Sequence, residues 1–268
     1  MIPLVPFTEA HLDGAVALSR QAGWPHRRED WALVLSISKG VVALDGDRVV
    51  ATGFSSAMGD MAALNMIIVD ERLRGQGLGR RVMDAVMTLA GQRAMRLIAT
   101  EDGRPLYEKL GFHATGEIVQ YQGELGAVMA PEHAVRTGTS IDIAAIAALD
   151  RAASGMDRTA LLQRIAEQGQ LFLSDGGFAM LRAFGRGHVI GPVVAHDLSQ
   201  ARALIAAAAA AIGGGFARID FSPEPELEHF VTRLGLGHAG GGTAMMNGTV
   251  PALTGEYTTF ALAAQALG

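Results

Sequence analysis

Segments lying about 124 residues apart in this 268-residue chain follow one another in the same order, which restricts the fold more than any single motif does. IGPVVA from Ile190 falls on MIIVDE from Met66, and VTRLGL from Val231 falls on YEKLGF from Tyr107. The apolar run Ala201 to Ile212 falls on Gly77 to Thr88, and RIDFS from Arg218 lands within two or three residues of RLIAT from Arg96. Any one match could be two apolar runs meeting by chance; all of them in one order at nearly one offset imply a duplicated domain. The length leaves room for two domains that each bury a core. We expect the halves to be 1–126 and 127–268, joined between Gly123 and Ser140.

Local patterns give the order of elements within the first copy. Leu4 to Phe7 reads as a strand and leads through Thr8, a plausible N-cap, into a helix ending near Gly23. A second helix is predicted over Arg28 to Ser38, then a hairpin turning at Asp45-Gly46-Asp47. Ala62 to Val69 is apolar enough for a central strand buried on both faces. After a glycine-rich turn come a helix over about Gly79 to Ala94, a strand at Arg96 to Thr100, a short helix from Pro105 to Leu110 and a strand near Glu117 to Gln122. Strands and helices mixed this way predict an α/β class. In the second copy, the Gly240 to Gly242 run resembles a loop, and Tyr257 to Gly268 a last strand with a short helical end.

Composition removes several classes of function. A formal charge of -5 with 22 scattered basic residues gives no electrostatic footprint for nucleic acid. The absence of cysteine excludes disulfides, thiolate metal sites and a cysteine nucleophile, and it fits a cytoplasmic location. No metal-binding histidine spacing is present. The N-terminus does not read as a signal peptide, and the longest apolar run is about half what a membrane-spanning helix needs. A protein without membrane or nucleic-acid partners is therefore expected, with a homodimer left open.

The strongest chemical signal is RLRGQGLGRR at 72–81, set between a predicted strand and a predicted helix. Gly75, Gly77 and Gly79 let the backbone pass close to a ligand with its N–H groups turned inward, because no Cβ intervenes. The positive end of the helix dipole adds to those groups. The result is an anion cradle suited to a pyrophosphate, with Arg72, Arg74, Arg80 and Arg81 as counter-charges. A tight strand-to-helix turn also favours glycine, so the glycines alone do not decide. No Gly-Lys-Ser/Thr ends the motif, which excludes a Walker loop, and the glycine spacing disfavours a dinucleotide-binding turn.

The stretch IIVDERLRGQGLGRRVM resembles motif A of the GCN5-related N-acetyltransferase (GNAT) superfamily, whose Arg/Gln-x-x-Gly-x-Gly/Ala pattern is met from both Arg72 and Arg74. LYEKLGF at 106–112 looks like the tyrosine-bearing final helix of that superfamily. GWPHRREDW at 23–31, ATEDGRPLYEKLGF, LDRAASGMDRTALL and IGPVVAHD resemble a bacterial subfamily with tandem GNAT-like domains and a degenerate C-terminal copy. The resemblance implies two domains, each a mixed, mostly antiparallel twisted sheet flanked by helices, with a splayed central strand pair in the first.

It also implies an enzyme that moves an acetyl group from acetyl-CoA to a primary amine of a small molecule, by direct attack in a ternary complex. Protein lysine or N-terminal acetylation, or CoA sensing without turnover, are the alternatives. By similarity, Ile67, Ile68 and Val69 would offer backbone groups to the pantetheine arm. Arg74, Gly75, Gln76, Gly77, Leu78, Gly79 and Arg80 would wrap the pyrophosphate. Thr100 stands where many relatives carry a cofactor-binding asparagine. Tyr107 would be the general acid for the departing thiolate, although the same ring could serve only packing. No glutamate stands at the place where some relatives have their base. Asp60, Glu29, Glu101 and a water chain are all open for that role. Trp24 and Trp31, on the side that covers the acceptor in similar folds, are substrate-wall candidates as well as core candidates.

The second copy carries AHDLSQAR where the first has RLRGQGLG. Asp197 or Ser199 would cap the following helix with its own side chain and compete for the N–H groups a pyrophosphate would use. An acidic residue there would also repel phosphate, so no productive CoA binding is expected in this half. Asp157, Arg158, His188 and His196 read as surface or ion-pair residues.

Overall fold

The computed structural model describes residues 2–128, 130–249, 253 and 255–268. Its chain divides into two compact units, one made of Met1–Ala114 with Met245–Thr249, the other chiefly of Thr115–Ala244 and the C-terminal stretch. The break between these compact units falls at 114/115. The reason is a strand, His113–Glu124, whose residues from Val119 to Glu124 pair antiparallel with Phe221 to Phe216 of the second unit.

The first unit begins with strand β1 (Leu4–Pro6), a short 3-10 turn capped by Thr8, and helices α1 (Leu12–Gln21) and α2 (Arg28–Ile37). Strands β2 (Lys39–Asp45), β3 (Arg48–Met58) and β4 (Met61–Val69) form an antiparallel meander on β1. Helix α3 (Leu78–Ala90), strand β5 (Ala94–Ala99) and helix α4 (Arg104–Lys109) complete the order expected from sequence. Helix α3 stops four residues early because Gly91, at φ +68°, ends it. Its buried stripe of Leu78, Val82, Met83, Val86 and Ala90 lies at helical spacing and packs on the sheet. Gly53 of β3 permits that approach, since a Cβ there would stand 2.6 Å from Val82 Cγ1.

The second unit takes the strand just described as β6 (His113–Glu124), followed by β7 (Arg136–Thr137), α5 (Ile143–Ser154), α6 (Thr159–Gln168) and β8 (Gly169–Ser174). After these come β9 (Gly177–Phe184), β10 (Gly187–Ala195), α7 (Leu198–Ile212), β11 (Phe216–Phe221), α8 (Pro225–Arg233), β12 (Gly237–Asn247, its last three residues counted with the first unit) and β13 (Thr258–Ala261). The sheet order from β6 is β11, β10, β9, β8, β7. The same meander, parallel neighbour and covering helix therefore recur, as the repeat required. Each unit is a mixed, mostly antiparallel sheet flanked by helices.

Gly240 to Gly242 are strand residues of β12 and not a loop. A Cβ on Gly241 would lie 2.0 Å from the carbonyl oxygen of Ile118 in β6, so glycine is required there by close backbone contact, not by a turn. Arg158 and Asp150 form a fully buried ion pair, and Asp157 pairs with exposed Arg151. His188 is half-buried, and exposed His196 stacks on Tyr257. No helix among the described residues is long and apolar enough to cross a membrane.

Candidate active site

Strand β4 carries the local structure that opens the site. Its ladder to β3 runs to its last residue, Val69, opposite Ala51, but its parallel ladder to β5 is confined to Met61–Ala94, Ala62–Met95 and Ala63–Arg96. Beyond Ala63 the two strands part, so the β5-facing backbone groups of Leu64 to Val69 have no ladder partner there among the described residues. The register against β3 shifts between Thr52 and Phe54, placing Met66 and Ile67 opposite Gly53 as a β-bulge. Met66 has φ 51°, a left-handed conformation that costs a non-glycine residue about 1–3 kcal/mol. The buried Thr52 hydroxyl donates to the Met66 carbonyl at 2.7 Å and holds the bulge in place. Nothing in the sequence marked Thr52 or Met66, because a bulge leaves the apolar pattern of a doubly buried strand unchanged.

The turn after β4 is braced from below. The buried Asp70 carboxylate accepts from the Arg72 amide at 3.0 Å and from the Arg48 guanidinium, and these contacts, with the Arg72 amide first, hold it below the usual carboxylate range. Gly75 and Gly77 follow at φ +74° and +80°, and a Cβ on either would meet nothing within 4 Å. Both glycines are thus demanded by backbone conformation, and the space above them is open. Gly77 is the N-cap of α3 and brings no side-chain oxygen. The first amides of α3, which no helix can satisfy from within, therefore lack a cap of their own.

The side chains around this turn are partly committed to local partners. Gln76 donates to the Arg72 carbonyl at 3.1 Å, and Arg80 pairs with Asp84 one turn along α3. Arg74 makes an exposed pair with Asp102, 3.3 Å away on the segment after β5. Arg81, a counter-charge candidate by sequence, instead donates to the Ile2 carbonyl. Arg72, Arg74 and Arg80 are the exposed guanidinium groups beside the cradle.

The parallel course of β4 and β5 brings α4 to the same end. A Cβ on Gly79 would touch Leu106 of α4 at 3.5 Å and Val69 of β4 at 3.6 Å. Thr100, exposed at the end of β5, turns its hydroxyl toward the amide of Gly103. Tyr107 sits one turn into α4, 7% exposed, in one buried cluster with Ala62, Leu64 and Met83 and with its ring edge-on to that of Phe112. Burial pushes its phenol up to about 12. Its hydroxyl makes no hydrogen bond to protein among the described residues, so its proton is held but uncommitted.

Other candidates are not gathered here. Trp31 is fully buried, stacked on Phe7 and donating to Ser19 Oγ at 3.3 Å, which makes it core. Trp24 is half-buried in the loop between α1 and α2, its ring 5.6 Å from that of His26. Asp60 is exposed in the turn before β4, at the closed end of the strand pair. Nine residues of strand, about 30 Å, separate it from Val69. Glu29 and Glu101 are exposed carboxylates.

Residues 26–131 match the acetyltransferase (GNAT) domain family, and residues 146–259 match a second family of the same description. The chain belongs to the GNAT acetyltransferases, with one such domain in each half. An uncharacterized N-acetyltransferase of Bacillus subtilis, YitH, is 29% identical over 243 residues, 84% of each chain. Among solved structures, a candidate acetyltransferase from Pyrococcus horikoshii superposes with a TM-score of 0.84 at 18% identity, covering 100% of this chain and 96% of that one. A tandem GNAT protein from the clavulanic acid biosynthesis pathway superposes with a TM-score of 0.64 at 13% identity, covering 94% and 100%. The GNAT family and this acetyltransferase relative make the chain an acyltransferase, and acetyl-CoA is the donor that its family uses.

The second GNAT domain differs at each corresponding point. Helix α7 is capped by Asp197, whose carboxylate accepts from the Gln200 amide at 2.9 Å. The parallel ladder of β10 to β11 is confined to His188–Ala217 and Val189–Arg218, so this pair also parts. Here β13 enters the gap, pairing antiparallel with β10 at Val193–Ala261, Val194–Thr259 and Ala195–Thr258. Leu262 then donates to the Asp220 carbonyl of β11 at 2.8 Å. At the repeat position of Tyr107 stands Val231, fully buried in α8.

Proposed function

We propose that the first unit acetylates a primary amine of a small molecule, in a ternary complex with one acetyl-CoA per chain. The reading rests above all on the open gap between β4 and β5, ending in the uncapped turn at Gly77 with Tyr107 beside it. Ile67, Ile68 and Val69 hold the pantetheine arm through strand-edge groups that lack a neighbouring strand among the described residues. The amides of Gly75 to Arg80 hold the pyrophosphate, with Arg74 and Arg80 as counter-charges. Acetyl-CoA supplies the thioester carbonyl that the amine attacks directly, the C–N bond forming as C–S breaks.

Tyr107 holds a proton at its phenol oxygen for the departing sulfur. A phenol pushed up to about 12 stays protonated across the physiological range and is a donor throughout it. An alkyl amine is mostly protonated at neutral pH and must lose a proton first. With Asp60 at the closed end of the strand pair, and Glu29 and Glu101 solvated, water reaching the open gap is the acceptor of that proton, and the second proton, shed by the nitrogen as the amide forms, returns through water to the Tyr107 phenolate. The small acceptor follows from the family resemblance; the loop of Trp24 to Arg27, on the side that covers the acceptor in similar folds, is half-buried.

The test is titration calorimetry with acetyl-CoA, followed by a panel of small amines and lysine peptides assayed for thiol release. One site per chain with turnover on small amines is expected. Two equivalent sites, or turnover on peptides alone, would overturn the reading.

A further inference from the structure

The first unit includes Met245–Thr249, residues that follow the motif-bearing turn by more than half the chain. This segment, the end of β12, neighbours β5 in the sheet order. It is closely fitted: Met245 is fully buried in the cluster that holds the Tyr107 ring, and a Cβ on Gly248 would stand 3.0 Å from Ala94 Cα. Between them, Asn247 donates its side-chain amide to the Leu110 carbonyl at 3.1 Å.

That carbonyl belongs to the C-cap of α4, a helix of six residues onto which the following amides fold back, Leu110 and Phe112 both donating to the Tyr107 carbonyl at 3.0 Å. So short a helix has little stability of its own, and its end carbonyls need partners from outside it. Asn247 supplies one, three residues from Tyr107.

We propose that Asn247 is a positioning residue for Tyr107, so that the late segment of the chain holds the proton donor of the first unit's reaction. The proposal rests on the assignment of Tyr107 as general acid. Without the Asn247 amide, α4 frays from its C-terminal end and the phenol leaves its place beside the gap. A displacement of about 1 Å can cost ~10²-fold in rate, so partial loosening corresponds to a loss of roughly tenfold in kcat. Acetyl-CoA affinity is unaffected, because the cradle lies on α3 and its turn.

The test compares Asn247→Asp, which keeps the shape and removes the donor, with Asn247→Ala, each alone and in a Tyr107→Phe background. Hydrogen exchange of the α4 amides, kcat and acetyl-CoA affinity are measured on the full chain. Faster exchange across 104–110, a roughly tenfold fall in kcat, unchanged affinity and no further fall in the Tyr107→Phe background are expected. Unchanged exchange in both variants would overturn the positioning role. A fall in kcat that persists in full without the phenol would show that Asn247 acts on something other than Tyr107, and would also overturn it. If Tyr107→Phe alone turns over normally while exchange in the Asn247 variants rises, the acid assignment fails and the hold on α4 stands.

Discussion

The two GNAT domains share a strand, turn and helix in one order, yet the turn of the first is built to leave amides free and that of the second to consume them. Gly77 caps α3 with no side chain, whereas Asp197 caps α7 with a carboxylate on the Gln200 amide. Past the last parallel pair, the β4 edge toward β5 has no strand on it among the described residues, while the β10 edge is taken by β13. Tyr107 has Val231 as its counterpart. On the proposed reading, a duplicated scaffold loses ligand binding through ordinary stabilising devices. A helix cap and an added strand, each favourable for folding, occupy the groups a cofactor would need.

The largest effect expected is from Gly77→Val. A β-branched residue at φ +80° is strained, and its side chain enters the space over the cradle, so acetyl-CoA affinity should fall by more than ~10²-fold. The fold should persist, since the damage is confined to an exposed turn. Calorimetry and circular dichroism check both, and unchanged affinity would mean that the two turns do not differ in function.

Next, Tyr107→Phe keeps the ring packing and removes the proton, so kcat should fall ~10²-fold at constant acetyl-CoA affinity. The same variant has an alkaline signature. Burial raises the phenol from 10 to about 12, so the unfolded chain ionises first and stability declines as pH rises from 10 toward 12. Thermal melts of Tyr107→Phe should lack that share of the decline.

A smaller effect probes the second turn. Asp197→Ala removes a cap and should cost about 1 kcal/mol in denaturant unfolding. It should create no second acetyl-CoA site, because β13 still fills the gap. A second site in this variant would show that the cap alone separates the domains.

The smallest concerns Asp70, which braces the first turn. Its lowered carboxyl stabilises the fold above the range where unfolded carboxylates ionise, and that stability is lost as pH falls below about 4. Asp70→Asn should therefore melt lower than wild type at neutral pH, with the gap narrowing in acid. A gap independent of pH would assign the brace to the neutral hydrogen bond alone.

Sequence by itself determined what local chemistry decides. Helix caps, positive-φ glycines and apolar periodicity act within about four residues, so the turn at 72–81, a side-chain cap at Asp197 or Ser199 and the doubled element order could all be read directly. Tertiary structure decided which strand edges find partners. That Met245 joins the Tyr107 cluster, that β13 fills one gap and leaves the other open, and that Trp31 is core while Trp24 is only half-buried all depend on contacts between residues far apart in the chain. An edge hydrogen bond carries no sequence period, and a glycine run such as 240–242 reads as a loop until the strand packed against it is known.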